Sequence, residues 1–497
     1  MGRNEETNFQ GSLDYLNRAL TLAVQLGNDA EKALILDAVG TAYQYMNKRD
    51  DALSNMQQAL QIKRKLGDKG GIAETLNSLA GVQQDSGKPD QAQKSYEEAV
   101  SLRREIGDKR GLGRSLTDLG LFKESVGRYD DALTLSKEGL AMLREVGDHQ
   151  NESNCLNNIG WIYLDKADYE NAMTYFQQAL DIRQKIGAPA FIADSFYNIG
   201  DTYTRMGQYN QATDDLLKAL DLWRKTGDNR GVAFASYGLG KIFQYQGRYG
   251  AALNSQQDAL KSWHEVNESG FWLPQIEASY GNTLALLGRG SEAQKNLDES
   301  LRIAREIKND PLVAQILNFE GDRLFYSGDF AGARALYEQA MKVVSHTTDR
   351  EQTLVTKFNL AKVEVMQGRG REQFRTLQSL SEEADRSGFK HLAVECTIYL
   401  GQALIAAREY SRAQDVLQRT VANAEKLGLQ VSLAKGHFLL AEALRLGGAP
   451  AEASNHYAQA HRILDEIGKE AHSDTLLQRS DLGKMYQQSA TQPTPTT

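Results

Sequence analysis

The sequence predicts an all-α protein built from repeated pairs of helices. Three observations predict this class: a repeat of 40 residues, small residues that return at fixed positions of the repeat, and apolar residues at helical spacing. The 497 residues include only 7 prolines, against 43 glycines. So few prolines favour helices over an all-β architecture, because proline interrupts a helix but is tolerated in turns.

A small residue marks the middle of the first helix of each repeat. These anchor residues are 40 apart, apart from one step of 41, and they are Gly40, Ala80, Gly120, Gly160, Gly200, Gly240, Gly281, Gly321, Ala361, Gly401 and Ala441. Two helices approach closely only where one carries Gly or Ala, so each anchor predicts a contact with a second helix. An isolated pair cannot bury its apolar face, so we expect the pairs to stack into a solenoid.

Two further series of small residues mark the second helix of each repeat. Ala52 and Ala59 lie 12 and 19 residues after Gly40, and Ala172 and Ala179 keep the same distances from the anchor at 160. Apolar residues at helical spacing accompany both pairs. Each repeat therefore predicts two amphipathic helices.

Gly, Asp and Pro predict where these helices begin and end. The turns between repeats carry Gly-Asp pairs at 67–68, 107–108, 147–148 and 227–228. Glycine suits the left-handed position that ends one helix, and aspartate then caps the next. Pro89 and Pro450 fall in the turn inside a repeat, and Pro189, Pro274 and Pro311 fall just before or at the start of a first helix.

The two ends of the chain predict half-repeats. Residues 12–26 match a second helix, and residues 471–488 predict one last helix that covers the final apolar face. Residues 1–10 are expected to form a flexible N-terminus, and residues 491–497 a disordered tail, because both are polar. We also note that the chain starts inside a half-repeat, as a fragment or a detached arm would.

Residues 11–490 are predicted to form one continuous solenoid. The repeats are more regular over 11–345 and more divergent over 346–490. Gln373 stands where the series of small residues should continue, which makes residues 358–385 a candidate hinge.

Composition limits the class of protein. A formal net charge of −8 argues against a nucleic-acid-binding protein, which normally carries a basic face. The apolar runs are too short to cross a bilayer, so no membrane insertion is expected. Two cysteines cannot form a disulfide framework, and together with the absence of an apolar leader they favour a cytoplasmic protein.

The repeat resembles the tetratricopeptide repeat (TPR). The matching residues of one repeat are Leu156, Ile159, Gly160, Tyr163, Ala172, Phe176 and Ala179. The longer period is similar to that of LGN/Pins adaptors, kinesin light chains and bacterial multi-TPR proteins. The resemblance implies a right-handed superhelix of about eleven helix pairs plus terminal half-repeats. It also implies a scaffold or adaptor that binds a protein or peptide on its concave face.

No catalytic, cofactor or metal motif is present in the sequence. The eight histidines do not form a zinc-binding pattern, and no phosphate-binding loop or nucleophile elbow occurs. Cys155 and Cys396 both stand five residues before an anchor, where other repeats carry small residues, so both are expected to be packing residues. Trp223 and Trp263 lie 40 apart, which predicts packing between repeats. We therefore expect neither an enzyme nor a bound cofactor.

The exposed face of the first helices is the candidate binding groove. Positions three before, one after and four after each anchor share one face, opposite the apolar stripe. Asparagine amides there could bind a peptide backbone, and aromatic residues could anchor it. The candidate residues are Asn77, Arg114, Asn154, Asn157, Trp161, Tyr197, Asp201, Tyr237, Lys241, Asn282 and Asn318.

Two other functions stay open. Similar bacterial arrays form the sensory or regulatory arm of signalling systems that contain a kinase, a transcription activator or a protease. Others are TPR phosphatases of response regulators, but these carry an N-terminal helical bundle for which residues 1–30 are too short. The sequence predicts neither the partner nor the oligomeric state.

Overall fold

The computed structural model describes residues 2–266 and 271–491, with side chains from residue 11 onward. These residues form two compact units, Met1–Ser195 and Phe196–Thr497, which we call unit 1 and unit 2. They contain 24 α-helices, of which α2–α23 form eleven consecutive helix pairs, and no β-strand occurs among them. The all-α repeat solenoid is therefore confirmed. In the same residues, no helix combines the length and the apolar character that a bilayer crossing requires.

Unit 1 consists of nine helices and the first part of a tenth. Their bounds are α1 (Gly2–Gln25), α2 (Asp29–Tyr45), α3 (Arg49–Leu66), α4 (Lys69–Asp85), α5 (Pro89–Glu105), α6 (Lys109–Ser125), α7 (Tyr129–Glu145), α8 (His149–Asp165), α9 (Tyr169–Ile186) and α10 (Pro189–Arg205). The boundary between the units falls inside α10.

Unit 2 contains the rest of α10 and the remaining helices. Their bounds are α11 (Tyr209–Thr226), α12 (Asn229–Gln246), α13 (Tyr249–Val266), α14 (Trp272–Leu286), α15 (Gly290–Glu306), α16 (Asp310–Ser327), α17 (Phe330–Val344), α18 (Arg350–Met366), α19 (Phe374–Arg386), α20 (Lys390–Ala406), α21 (Tyr410–Leu427), α22 (Gln430–Leu446), α23 (Pro450–Gly468) and α24 (Leu482–Ala490).

The anchors hold the two helices of a pair together, as predicted. A Cβ atom added to Gly160 would lie 2.5 Å from the ring of Phe176, and one added to Gly321 would lie 2.3 Å from the ring of Tyr337. Both rings are fully buried. The anchor glycine therefore provides the space that the large residue of the second helix fills.

The predicted helix boundaries are also confirmed. Gly67 and Gly227 end α3 and α11 in the left-handed conformation, with φ of +71° and +74°. Asp68 and Asp228 then accept hydrogen bonds from the backbone N–H three residues later, at 2.9 and 3.0 Å. Each turn thus satisfies an open backbone donor of the next helix.

The ends of the chain differ from the prediction. Helix α1 begins at Gly2, well before the predicted start at residue 12. The single helix predicted for residues 471–488 is wrong: a 3-10 turn at Leu476–Gln478 precedes the short α24. The disordered tail was predicted for residues 491–497, and residues 492–497 lie outside the described part of the chain.

The divergent repeat at residues 358–385 keeps its helix pair but shortens the second helix. A 3-10 turn, Gly370–Gln373, replaces the first turn of α19. Gly370 packs directly on Ala403 of α20, since a Cβ added to Gly370 would lie 3.0 Å from the Ala403 methyl group. A close contact at Gly370 thus compensates for the missing small residue at 373, and the hinge stays a prediction.

Unit 2 closes on itself through contacts between residues about 190 apart. Thr475 donates a hydrogen bond to the Leu287 carbonyl at 2.5 Å, and Arg479 donates to the Leu286 carbonyl at 2.9 Å. A Cβ added to Gly250 would lie 2.0 Å from the carbonyl oxygen of Ala471. Side chains of residues 471–481, together with the Ser480 N–H that donates to the Tyr326 carbonyl at 3.0 Å, therefore bind other helices, and the segment does not form the predicted helix.

We predict that Gly250→Ala weakens this closure. The added methyl group would overlap the Ala471 carbonyl, so the melting temperature should fall by several degrees, and proteases should cut residues 469–481 faster. Gly70→Ala in α4 is the control, because its Cβ has no neighbour nearer than 3.7 Å. Equal melting temperatures for the two variants would show that the closure does not contribute to stability.

Candidate functional site

In unit 1, successive first helices are joined by polar side chains. Asn77 of α4 donates hydrogen bonds to the Ser115 hydroxyl at 2.8 Å and to the Asp118 carboxylate at 3.1 Å, both in α6. The candidate Asn77 therefore already has partners within the array. Its amide nitrogen joins neighbouring helices, whereas its amide oxygen is buried without a hydrogen-bond partner among the described residues.

Asn154 and Asn157 of α8 surround a buried guanidinium. Arg183 of α9 donates to Asn154 at 3.1 Å, to Asn157 at 3.5 Å and to the Ser195 hydroxyl at 2.8 Å. Arg183 is only 4% exposed, so these oxygens replace the water that its charge has lost. The two asparagines thus stabilise the fold, whatever else they contact.

The buried cations follow the repeat, although the sequence analysis did not single them out. Lys63, Arg103 and Arg183 occupy one position late in the second helix, and all three are buried. Trp223 and Trp263 stand at the same position in unit 2, where they are also buried and contact Tyr197 and Phe234. The spacing of 40 and 80 residues between these positions is visible in the sequence. The burial of Trp223 and Trp263 confirms the packing role that was predicted for them.

Carboxylates remain on the first-helix face of unit 1. Burial raises the pKa of Asp118 to about 6. The pKa of Glu124 is raised to about 7, first by burial and then by the neighbouring carboxylate of Asp165. The charge that acts on Glu124 is therefore that of another carboxylate and not that of a cation.

These acids extend the candidate site that the sequence defined. Glu124 lies four residues after the anchor Gly120, at one of the face positions of the repeat, although it is not among the candidate residues. Trp161 of α8 is half-buried against the edge of the Phe176 ring and lies one helical turn before Asp165. Arg114 of α6 is exposed and lowers the pKa of Asp148. An aromatic surface and an uncompensated acidic pair therefore lie close together on this face.

In unit 2, three of the candidate residues line one cavity. Tyr237, Lys241 and Asn282 border a space of about 210 Å³ together with residues of α16, α18, α20 and α22. The other three candidates in unit 2 are Tyr197, Asp201 and Asn318. Tyr197 packs on Trp223 at 5.7 Å between ring centroids, and Asp201 pairs with Arg205 at 2.9 Å. These last two side chains are not among those that line the cavity.

Asn318 is not part of an exposed groove. It is 1% exposed, and its amide donates to the Thr356 hydroxyl at 2.8 Å and accepts from Asn359 at 3.3 Å. The prediction for Asn318 is wrong because adjacent first helices pack tightly enough here to bury this position.

The wall of the cavity is largely aromatic. Its rings belong to Tyr237, Tyr245, Tyr249, Phe319, Tyr326, Phe358 and His391. The rings of Tyr245 and His391 stack with their centroids 3.9 Å apart. Burial, and then the charge of Lys241, lower the pKa of His391 to about 3, so its imidazole is neutral at neutral pH.

Most charges at the cavity are paired. Lys362 contacts Asp322 at 2.7 Å, and Lys435 contacts Asp481 at 3.3 Å. Arg479 binds Asp481 and lies 3.8 Å from the centre of the Tyr326 ring. The closing segment of unit 2 therefore also forms one side of the cavity.

Lys241 and Glu351 differ from these pairs. Both line the cavity and are half-buried, and among the described residues neither has an oppositely charged atom within 4 Å. The pKa of Lys241 is raised well above its usual range by Tyr245, against the effect of burial, and further by Tyr237 and Glu351. Lys241 is therefore a cation at neutral pH.

The cysteines lie away from these surfaces. Cys155 and Cys396 are fully buried, which confirms the predicted packing role, and burial raises the pKa of the Cys155 thiol to about 11. In the part of the chain that the structure describes, no three His, Cys, Asp or Glu residues lie close enough to hold a metal ion.

Comparison with known families matches TPR models along most of the chain. The model described as "MalT-like TPR region" matches residues 159–464. Two models described as "Tetratricopeptide repeat" match residues 71–145 and 112–185, and residues 33–69. None of the curated proteins matches the sequence.

Several solved structures resemble parts of the chain at low identity. A Rap protein complexed with competence and sporulation factor has a TM-score of 0.48 at 14% identity, over 74% of this chain and 99% of its own. The apo form of RapI gives 0.43 at 16% identity, over 52% and 93%. BtubC (BKLC) from P. vanneervenii gives 0.41 at 19% identity, over 44% and 92%.

We predict that His391 makes unit 2 sensitive to acid. The pKa of His391 is lower in the folded chain than the usual 6.5, so the unfolded chain binds a proton first and stability falls as the pH drops below about 6.5. Between pH 7.5 and 5.0 the loss should be about 2 kcal/mol. Thermal unfolding at both pH values should show a larger decrease for the native chain than for His391→Gln. Equal decreases would contradict the burial of a neutral imidazole.

Proposed function

The chain belongs to the MalT-like TPR family, and we propose on this premise that it is a scaffold that binds an extended segment of a partner protein. The proposed binding surface is the first-helix face of unit 1, formed by α4, α6 and α8. The observation that supports it is the acidic pair Glu124–Asp165, which has no cation within 4 Å among the residues that the structure describes. The proposed setting is the cytoplasm.

The chemistry of the pair indicates which segment would bind. A guanidinium or ammonium group placed between the two carboxylates would remove their repulsion and lower the raised pKa of Glu124. Arginine suits the site better than lysine, because its planar group can contact both carboxylates and also lie on an aromatic ring such as that of Trp161. We therefore infer that the partner segment carries arginine.

The asparagines have a different part in this proposal than the sequence suggested. Asn77 and Asn154 bind other residues of the array, so they fix the spacing of the first helices that present the acids. Recognition then rests on charge and on Trp161. Such binding weakens with salt, because charges near a surface are screened.

A second candidate function is a sensory arm of a signalling system. The observation that favours it is the cavity of unit 2, since a scaffold that binds only an extended segment does not need one. Peptide binding by unit 1 and ligand binding by unit 2 do not exclude each other.

We predict that Glu124→Gln with Asp165→Asn weakens binding of an arginine peptide. The probe is a fluorescein-labelled peptide of six Arg-Ala repeats, titrated by fluorescence anisotropy. Loss of both charges should raise the Kd at least tenfold, and the native Kd should rise with salt concentration.

The matched control is Glu98→Gln with Glu138→Gln. These exposed carboxylates on α5 and α7 pair with Arg64 and Arg104, and their removal changes the net charge by the same amount. If both double variants bind the peptide equally, attraction is due to net charge alone, and the proposed surface is wrong.

A further inference from the structure

We propose that the cavity of unit 2 binds a free α-amino acid with an apolar or aromatic side chain, whose carboxylate contacts Lys241 and whose ammonium group contacts Glu351. This goes beyond the proposed function, which concerns α4, α6 and α8 of unit 1. The failure of either proposal would leave the other intact.

The charges of the cavity determine the ends of the ligand. Asp322 is neutralised by Lys362, and Glu395 accepts a hydrogen bond from Ser432 at 2.6 Å and faces Lys435 at 3.9 Å. Lys241 and Glu351 are the charged groups of the lining that remain without such a partner among the described residues. A half-buried charge without a partner is costly, so a ligand that supplies both complements is favoured.

The two groups are close enough to serve one small molecule. Both side chains line the same cavity of about 210 Å³, although they are not within 4 Å of each other. A zwitterion that lies between them would contact both. An α-amino acid has this arrangement, because its carboxylate and ammonium group are attached to the same carbon atom.

The walls determine the side chain of the ligand. The rings of Tyr237, Tyr245 and Tyr326 line the cavity with Phe319 and Phe358, and the neutral imidazole of His391 adds another flat surface. Rings of this kind favour apolar and aromatic groups, which gain area and stacking contacts. The remaining polar groups of the lining include Gln315 and Asn282, which can donate to or accept from the ligand.

The volume limits the size of the ligand. A protein cavity of about 150 Å³ accepts benzene, whereas this one measures about 210 Å³. A molecule of roughly a dozen non-hydrogen atoms therefore fits. Leucine and phenylalanine lie in this range, and an extended peptide of several residues does not.

The first experiment measures thermal shifts of the native chain with each of the twenty proteinogenic L-amino acids at 5 mM. We expect at least one apolar or aromatic amino acid to raise the melting temperature by several degrees, because a ligand that binds only the folded state stabilises it. The Kd of that amino acid is then measured by isothermal titration calorimetry. Absence of a shift with all twenty would overturn the proposal.

Two analogues of that amino acid, measured with the native chain, test the contribution of each charged end of the ligand. The N-acetyl derivative lacks the ammonium group, and the amide lacks the carboxylate. We expect each to bind at least tenfold more weakly than the parent. If either derivative, or a tetraalanine peptide, binds as tightly as the parent, the zwitterion assignment is wrong.

Variants test the two residues. Lys241→Met and Glu351→Gln should each weaken binding at least tenfold, whereas Lys218→Met and Glu299→Gln should bind normally. Lys218 and Glu299 are exposed and paired with Asp215 and Arg302, outside the cavity. Unchanged binding by a folded Lys241→Met chain would overturn the proposal. If that variant does not fold, Glu351→Gln and the analogues decide the same question.

Discussion

The whole array depends on one close approach of two helices that recurs every 40 residues. At Gly160 the second helix places the Phe176 ring where any Cβ atom would lie. This contact fixes how the two helices of a pair cross, and stacking of the pairs then places each first helix beside the next. Both candidate surfaces follow from this arrangement, because most of their side chains belong to successive first helices.

The polar residues of these helices divide into two groups. Some complete the array: Asn77 joins α4 to α6, and Asn154 and Asn157 solvate the buried Arg183. Others are left without compensation: Glu124 lies beside the carboxylate of Asp165, and Lys241 and Glu351 lack an oppositely charged partner within the described residues. Since uncompensated charge is costly where it is partly buried, as at Glu124, Lys241 and Glu351, the second group marks the surfaces where ligands are expected.

The sequence was sufficient to predict the eleven helix pairs and their boundaries, because Gly, Ala and Asp act locally and repeat. It was not sufficient to predict the closure of unit 2, because Arg479 and the Leu286 carbonyl, which it binds, are 193 residues apart in the sequence. Contacts between residues that are distant in the sequence also limited the prediction of the candidate site. The sequence placed Tyr237, Lys241 and Asn282 on one helix face, but the residues that complete the cavity, such as Glu351 and His391, come from distant repeats. Asn318 could not be distinguished from its exposed counterparts, because its burial depends on Thr356 and Asn359 of the next repeat.

The most direct test of this account is hydrogen–deuterium exchange, followed along the chain with and without the two kinds of ligand. The account predicts that an arginine-rich peptide slows exchange in α6 and α8 of unit 1. It predicts that an α-amino acid which stabilises the chain slows exchange in α12 and α18 of unit 2. The second helices α5, α7 and α9 should change little in either case. Protection that is confined to second helices, or spread evenly over all repeats, would contradict the claim that uncompensated charges on the first helices form the binding surfaces.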